Sequence, residues 1–389
     1  MFAKQSKTKT FNEAFWIVAQ ARCGSVPFAF GNPGLAKTVS AEMFARAIGR
    51  IYKQYILSQQ MPEDAGGTPV PSEVNINGEM HKCVTSLKSE TLLRAMHQKT
   101  VVHLDECNQC SPAVMAANQE LWFNNPPKNS IVIATANSLD VATDGFEFSA
   151  PMVNRMCLLE WEFDDESWLH GMTHGEFPPL NFPVLEGDWS GYKQKWKGLV
   201  GQFRRQKPAH FDWANVFPKT DEERAKPWRS PRSWERGAIC LGAAEAVGAG
   251  QDTAKKILSG FIGEGPALEF FSWVESAGFP PSEVLFNNPS MLHLPPQFDT
   301  AASLIGGVYC HASRLIAADP DKAEENFEKC LDFCEHVFTE NREAGTAFVG
   351  RFAKLKPQQY QPQGRSHLLW DTISASRPRT ATCLSEQDI

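Results

Sequence analysis

Three groups of residues have the types and spacing to do phosphate chemistry. The first is Gly31-Asn32-Pro33-Gly34-Leu35-Ala36-Lys37-Thr38, followed by Val39. It has the pattern of a glycine-rich loop whose backbone N–H groups cradle a polyphosphate, except that Ala36 stands where a second glycine belongs. Lys37 would reach the β- and γ-phosphates, and the Thr38 hydroxyl would bind Mg²⁺. A methyl at position 36 is tolerable where φ is negative, and otherwise crowds the phosphates or displaces Lys37. The plainer alternative is a glycine-containing turn that caps an ordinary helix.

The second group is Asp105-Glu106, closing the run Thr100-Val101-Val102-His103-Leu104. A carboxylate at a strand end beside a phosphate loop can hold Mg²⁺ through water, and its neighbour can orient and deprotonate an attacking water. Asp105 is therefore expected at the metal and Glu106 at the water; the plainer alternative is an acidic pair that simply ends a strand. The third is Asn137, ending the run Ile131–Thr135, where an amide can position water or the γ-phosphate without adding charge. A turn-forming Asn is the simpler alternative there. Two arginines complete the candidates. Arg155 precedes the strand Met156–Leu159 and could reach a neighbouring subunit's nucleotide or make an internal salt bridge. Arg232, in Ser230-Pro231-Arg232, opens a helix and could close onto the γ-phosphate, or be a surface arginine of a capped helix.

Phosphate chemistry of this kind needs an apolar strand before the loop and a helix after it. Val26–Phe30 supplies the strand, and Val39–Arg50 has the 3.6-residue period of an amphipathic helix. Residues 51–60 read as an extension of that helix. Residues 61–78 read as a loop or inserted hairpin, rich in Pro, Gly and Asn. Strands then alternate with helices to about residue 165, the pattern of a parallel sheet. From 166 to 229 periodicity weakens, which predicts a connecting segment with one helix near 189–206. Helical periodicity returns at 232–247, 252–262 and 321–340. The end, from about 356, is polar and Pro-rich and reads as a mobile tail.

The remaining signals mostly exclude. With 389 residues, 42% apolar and 21% charged, the chain can bury two or three domain cores, so disorder and fibres are set aside. A net charge of −7 disfavours nucleic acid as the general partner. No apolar stretch is long enough to cross a membrane, and the basic start lacks a leader's cleavage pattern. Ten cysteines without scaffold spacing favour a reducing cytoplasm. Cys107-x-x-Cys110 lacks the second pair a zinc site needs. His170 and His174 read as residues of a solvated loop, and Cys330 with Cys334 as small buried side chains.

The motifs resemble those of the AAA+ ATPases, and among them the MoxR-like branch. Gly31–Thr38 is similar to Walker A, VVHLDE to Walker B and IATAN to the sensor 1 strand. APMVNRM is similar to the arginine-finger stretch and SPRSWE to the start of the sensor 2 helix. FIGEGPALEFFSWVE (261–275) resembles, more loosely, the lid of MoxR-like proteins partnered by a von Willebrand A-type protein. The resemblance implies a P-loop αβα core with a parallel sheet over 1–165 (61–85 inserted) and a helical lid over 230–355. It also implies ATP and Mg²⁺ as cofactors, a homo-oligomeric ring that is a hexamer, and ATP-driven remodelling or chaperone-type activation of a von Willebrand A-type partner. The departure at Ala36 leaves room for a nucleotide-gated scaffold with slow hydrolysis; a DNA-acting motor or loader is the least favoured reading.

Overall fold

A computed structural model describes residues 10–357 apart from 125, 138–147, 177–178, 278–279 and 294–297. Most of the expected tail lies outside the described residues. The core begins with helix α1 (Glu13–Ala21), strand β1 (Val26–Phe30) and helix α2 (Lys37–Ala47), then β2 (Ile51–Ile56). A short helix α3 (Pro62–Gly66) leads into β3 (Thr68–Ile76) and β4 (Glu79–Leu87). Helix α4 (Glu90–His97), β5 (Thr100–Asp105), α5 (Pro112–Asn118), β6 (Ser130–Ala136), α6 (Ala150–Val153) and β7 (Met156–Glu160) complete it.

Five strands form one parallel sheet in the order β2-β5-β6-β1-β7. Its central strands β1, β5 and β6 are apolar and buried on both faces, as a sheet sandwiched by helices requires. One face carries Ala29, Val101 and Ile133 against Trp16 of α1 and Phe44 of α2. The other carries Phe28, Val102, Leu104 and Val132 against Leu92, Val114 and Trp122. β3 and β4 pair separately as an antiparallel hairpin, extending the expected insertion to Leu87. Val74, Ile76, Met80 and Val84 on it are exposed.

Residues 51–56 are a strand, which corrects the expected helix over 51–60. The helix stops because Gly49 turns to φ +65°. There the Gly49 N–H bonds the Arg46 carbonyl (3.1 Å) and the Arg50 N–H bonds the Ala45 carbonyl (2.8 Å). Those two bonds are the Schellman C-cap, which ends a helix with a left-handed glycine. Ile-Tyr-Lys-Gln-Tyr-Ile then pairs with β5 from Ile51–Thr100 to Ile56–Asp105, where β-branched and aromatic side chains suit a pleated surface.

After the sheet come α7 (Asp165–His174), α8 (Ser190–Gln206), α9 (Asp221–Arg224), α10 (Pro231–Ala246), α11 (Gln251–Ile262), α12 (Glu264–Ser276), α13 (Ser282–Asn287), α14 (Phe298–Ala318), α15 (Ala323–Glu340) and α16 (Arg342–Ala353). His170 and His174 lie on α7 with stacked rings 4.3 Å apart, not in a loop. The Cys330 and Cys334 thiols are buried in α15. The whole is a P-loop αβα core followed by a helical lid. Helix α8, within the weakly periodic stretch, packs against both α10 and α14. The lid leans on the core through α1 and β7: the Cys157 thiol donates to the Ile257 carbonyl, 3.6 Å away, and Ile17, Val18, Leu241, Ile257 and Phe261 share one core.

Candidate nucleotide site

The phosphate loop leaves β1 at the C-terminal edge of the sheet, where open α/β sheets bind ligands. Gly31 is anchored to the Ala136 carbonyl through its N–H, 3.2 Å away. Any side chain at 31 would strike Trp161, since an added Cβ would sit 2.7 Å from that residue's Cβ. Trp161 in turn donates its indole N–H to the Leu35 carbonyl at 2.9 Å, bracing the loop from behind. Asn32, Pro33, Gly34 and Ala36 are exposed, as is Val39 just inside the helix.

Gly34 has φ +82° and Ala36 has φ +56° with ψ +25°. The position where the motif wants glycine is thus left-handed, so the condition of negative φ is not met. An alanine held there costs roughly 1–2 kcal/mol against a right-handed residue. The loop nonetheless keeps its shape and delivers Lys37 to the start of α2. No side chain caps that helix N-terminus, so its first-turn N–H groups are free for an anion.

Lys37 is buried, and its ammonium donates to the carbonyls of Gly31 (2.7 Å) and Asn32 (2.9 Å) and to Asn137 Oδ1 (3.2 Å). Burial lowers its pKa and the Asp105 carboxylate partly opposes that. Thr38 donates to Asp105 Oδ2 at 3.2 Å. This hydroxyl and carboxylate form an all-oxygen pair of the kind Mg²⁺ takes while keeping most of its waters. The residues present therefore fit a Mg²⁺–polyphosphate: Thr38 and Asp105 toward the metal, Lys37 and the loop amides toward the phosphates.

Glu106 sits beyond the strand end in the left-handed region, φ +54°. Its Oε2 accepts from the Ser58 hydroxyl. Asn137, at the next strand end, is fixed from below: the buried Asn108 donates its amide to the Asn137 carbonyl at 2.9 Å. The structure thus brings Lys37, Thr38, Asp105, Glu106 and Asn137 to one edge of the sheet.

Sequence reasoning missed the residues beneath Asp105. Its Oδ1 accepts from Thr135 Oγ1 (2.5 Å) and the Glu106 N–H (3.0 Å), and Gln54 donates to Oδ2 at 2.9 Å. Burial pushes the Asp105 carboxyl up, but His103 and these donors together bring it below its ordinary value. His103 is fully buried, bonded through Nε2 to Thr135 Oγ1 (2.7 Å) and through Nδ1 to the Tyr52 hydroxyl (2.8 Å). Burial drives its pKa to about 4, with Asp105 opposing and Lys37 reinforcing, so the ring is neutral at pH 7. The legible signal was the two-residue spacing of His103 and Asp105, which puts both on one face of β5.

The two arginines lie elsewhere. Arg155 immediately precedes β7, whose first residue pairs with Val26 at the start of β1. It is therefore at the N-terminal edge of the sheet, while the phosphate loop leaves the other end of β1. Five strand residues at about 3.3 Å each separate the two edges. Arg155 donates to Asn124 Oδ1 (2.6 Å) and the Pro151 carbonyl (2.5 Å). Arg232 stands beside it. The lid helix α10 docks there through Ser230 on Asn154 (2.7 Å) and Arg236 on Ser25 (2.8 Å). Burial first, then the Arg232 charge, lowers the pKa of Arg155. Arg232 is thus not poised over its own chain's phosphate loop, correcting that expectation: the lid packs on α1 and β7 and carries it to the far edge.

The Cys107 and Cys110 thiols are buried and donate to backbone carbonyls of Leu104 (3.3 Å) and Cys107 (3.4 Å). Among the described residues no cluster of three or more His, Cys, Asp or Glu side chains could hold a metal. No described helix is long and apolar enough to cross a membrane.

The model of the AAA domain of the dynein-related subfamily matches residues 28–156. This stretch, one third of the chain, is similar to that domain. It spans the phosphate loop, the Asp105-Glu106 strand end, Asn137 and Arg155. No curated protein matches the chain. A solved structure of a candidate ATPase from Cytophaga hutchinsonii is similar over 62% of this chain and 78% of that one. Identity there is 14% and the TM-score 0.36.

Proposed function

We propose that this chain hydrolyses ATP at sites shared between copies of itself, and uses the cycle to remodel a partner protein. The observation that carries this is the division of the chemistry between two edges. Lys37, Thr38, Asp105, Glu106 and Asn137 gather at one edge, and Arg155 with Arg232 at the other. Among the described residues the site holds no guanidinium of its own, and a phosphoryl-transfer site of that kind is completed when a second copy presents one. Repeated head to tail, that contact closes into a ring, and a hexamer is the expected size.

Glu106 then activates the water, Asn137 positions it, and Lys37 holds the transferring phosphate. Mg²⁺ at Thr38 and Asp105 would supply charge neutralisation. ATP turnover by the purified chain beside Glu106→Gln, with mass measured with and without ATP, tests the reading. Turnover lost in the variant together with an ATP-dependent ring supports it. Absence of both turnover and assembly in the wild type sinks it.

The remodelling role rests on the lid's likeness to MoxR-like proteins, with a von Willebrand A-type protein as the proposed partner. The hairpin of β3 and β4, with Val74, Ile76, Met80 and Val84 exposed, is the proposed contact for that client. Deleting its tip should abolish partner-stimulated turnover and spare basal turnover; unchanged stimulation removes it from the role. One observation favours a second reading. Ala36 in a left-handed conformation burdens the loop that must reset every cycle, which suits a scaffold assembled by nucleotide and timed by slow hydrolysis. Turnover above roughly 1 s⁻¹, inside the ordinary enzyme range, speaks against the scaffold.

A further inference from the structure

Beneath the proposed metal side chain runs a buried chain of hydrogen bonds that crosses three strands. Tyr52 on β2, His103 on β5 and Thr135 on β6 lie on one face of the sheet, and Asp105 ends the chain two residues beyond His103. The contacts are Tyr52 Oη to His103 Nδ1 at 2.8 Å, His103 Nε2 to Thr135 Oγ1 at 2.7 Å, and Thr135 Oγ1 to Asp105 Oδ1 at 2.5 Å.

The direction of every proton in the chain follows from its end. Asp105 as a carboxylate only accepts, so the single hydroxyl hydrogen of Thr135 goes to Oδ1. Toward His103, Thr135 can then only accept, so Nε2 carries the imidazole hydrogen. A neutral ring with Nε2–H has its lone pair on Nδ1, which accepts from the Tyr52 hydroxyl. The Glu106 N–H also falls on Oδ1 (3.0 Å), so that oxygen is committed to two protein donors. Oδ2 accepts from Thr38 (3.2 Å) and from Gln54 (2.9 Å), on the side where a cation beside Thr38 would lie.

We propose that Tyr52, His103 and Thr135 are positioning residues for the metal. They hold the Asp105 carboxylate in one rotation, with Oδ1 toward Thr135 and the Glu106 N–H, and Oδ2 toward Gln54 and the side where a cation beside Thr38 would sit. This rests on the nucleotide-site reading above. Without the chain, the Thr135 hydroxyl can turn away and Oδ1 keeps only the Glu106 N–H, so the carboxylate is held less firmly. Partners that orient a metal's ligands are typically worth about 10–100-fold in metal affinity.

The test is Mn²⁺ binding to the ADP complex, read by the electron paramagnetic resonance signal of free Mn²⁺, beside ADP binding in EDTA. Wild type, His103→Leu, His103→Gln and Tyr52→Phe are compared, with thermal melting as a check on folding. His103→Leu should lower Mn²⁺ affinity about 10–100-fold and leave metal-free ADP binding unchanged. His103→Gln keeps an N–H at the Nε2 position and should recover most of the loss. Tyr52→Phe, which removes one hydroxyl at the chain's far end, should show a smaller loss of the same sign. The relay is overturned if folded His103→Leu and Tyr52→Phe bind Mn²⁺ as wild type does. It is overturned equally if His103→Leu weakens metal-free ADP binding as much as Mn²⁺ binding, because the defect is then general. A wild type that binds ADP neither with nor without Mn²⁺ overturns the nucleotide-site reading itself, and the relay with it.

Discussion

Ser230, the cap of lid helix α10, donates its hydroxyl to Asn154 Oδ1 at 2.7 Å. Asn154 directly precedes Arg155, and Ser230 is two residues before Arg232. One hydrogen bond therefore ties the starts of two elements that are distant in sequence and brings two like charges together. The Arg232 charge, after burial, lowers the pKa of Arg155, so Arg155 is held there against repulsion. The Glu120 carboxylate of the same chain partly offsets that repulsion, and under the proposed function a neighbouring copy's phosphates would meet the pair.

Arg155→Ala should cut ATP turnover by about 10³–10⁵ and leave ATP binding intact. Mixed assemblies of Arg155→Ala with Lys37→Ala should recover part of the turnover. At some interfaces an intact loop from the first meets an intact arginine from the second. Near-normal turnover by Arg155→Ala alone, or no recovery in assemblies shown by mass to be mixed, would remove Arg155 from the shared site.

Ala36→Gly should raise the melting temperature and tighten nucleotide binding. Relief of the left-handed alanine gains roughly 1–2 kcal/mol, and the greater freedom of glycine in the unfolded chain returns about 0.4–1 kcal/mol of that. A net gain of around 1 kcal/mol is expected, read by thermal melting without ligand. Turnover should rise if the strained loop limits the cycle. A variant less stable than wild type would mean that the Ala36 methyl makes packing contacts worth more than its strain.

Much of the nucleotide-site core was legible because its chemistry is local. Lys37 and Thr38 follow their loop directly, Asp105-Glu106 closes an apolar strand, and Asn137 closes another. What sequence spacing could not give is which face and which edge a residue occupies once strands cross. Arg232 looked like a residue over its own nucleotide because its motif is local. Its place is set by α10 docking on α1, Ser25 and Asn154, contacts between elements far apart in the chain. The strand Ile51–Ile56 was obscured for a different reason. The periodic helix before it runs up to Gly49 and the change of period is short, so the capping glycine was the better signal. His103 and Thr135 were hidden because a polar residue inside an apolar strand shows its purpose only through the strand beside it.

The lid holds a buried ion pair that should dominate its stability. Lys195 on α8 donates to Glu245 Oε1 on α10 at 2.6 Å, and Trp196 donates to Glu245 Oε2 at 2.8 Å. Ser282 of α13 bonds both partners. Lys195 is fully buried, so removing its partner strands a charge in the core. Glu245→Leu should cost about 3–5 kcal/mol, and the double change with Lys195→Met should recover much of it. Urea unfolding midpoints of the two singles and the double decide the matter. Additive losses would show that the two charges do not act as a pair.

Acid should loosen the lid through His311. Its ring packs edge-on against Phe286, with centroids 5.4 Å apart. Burial, then the charges of Arg314 and Lys195, push its pKa down to about 4. An unfolded histidine titrates near 6.5. Between those values the unfolded chain holds a proton that the folded chain refuses, so stability is complete above about pH 6.5 and falls as pH drops toward 4. The full shift corresponds to at most roughly 3 kcal/mol. His103, with its own value near 4, contributes in the same window and the same direction. His311→Leu should therefore remove about half of the histidine-linked slope in unfolding free energy between pH 7 and 4.5, measured by urea titration at each pH. Parallel curves for variant and wild type would show that His311 takes up its proton in the folded state without penalty.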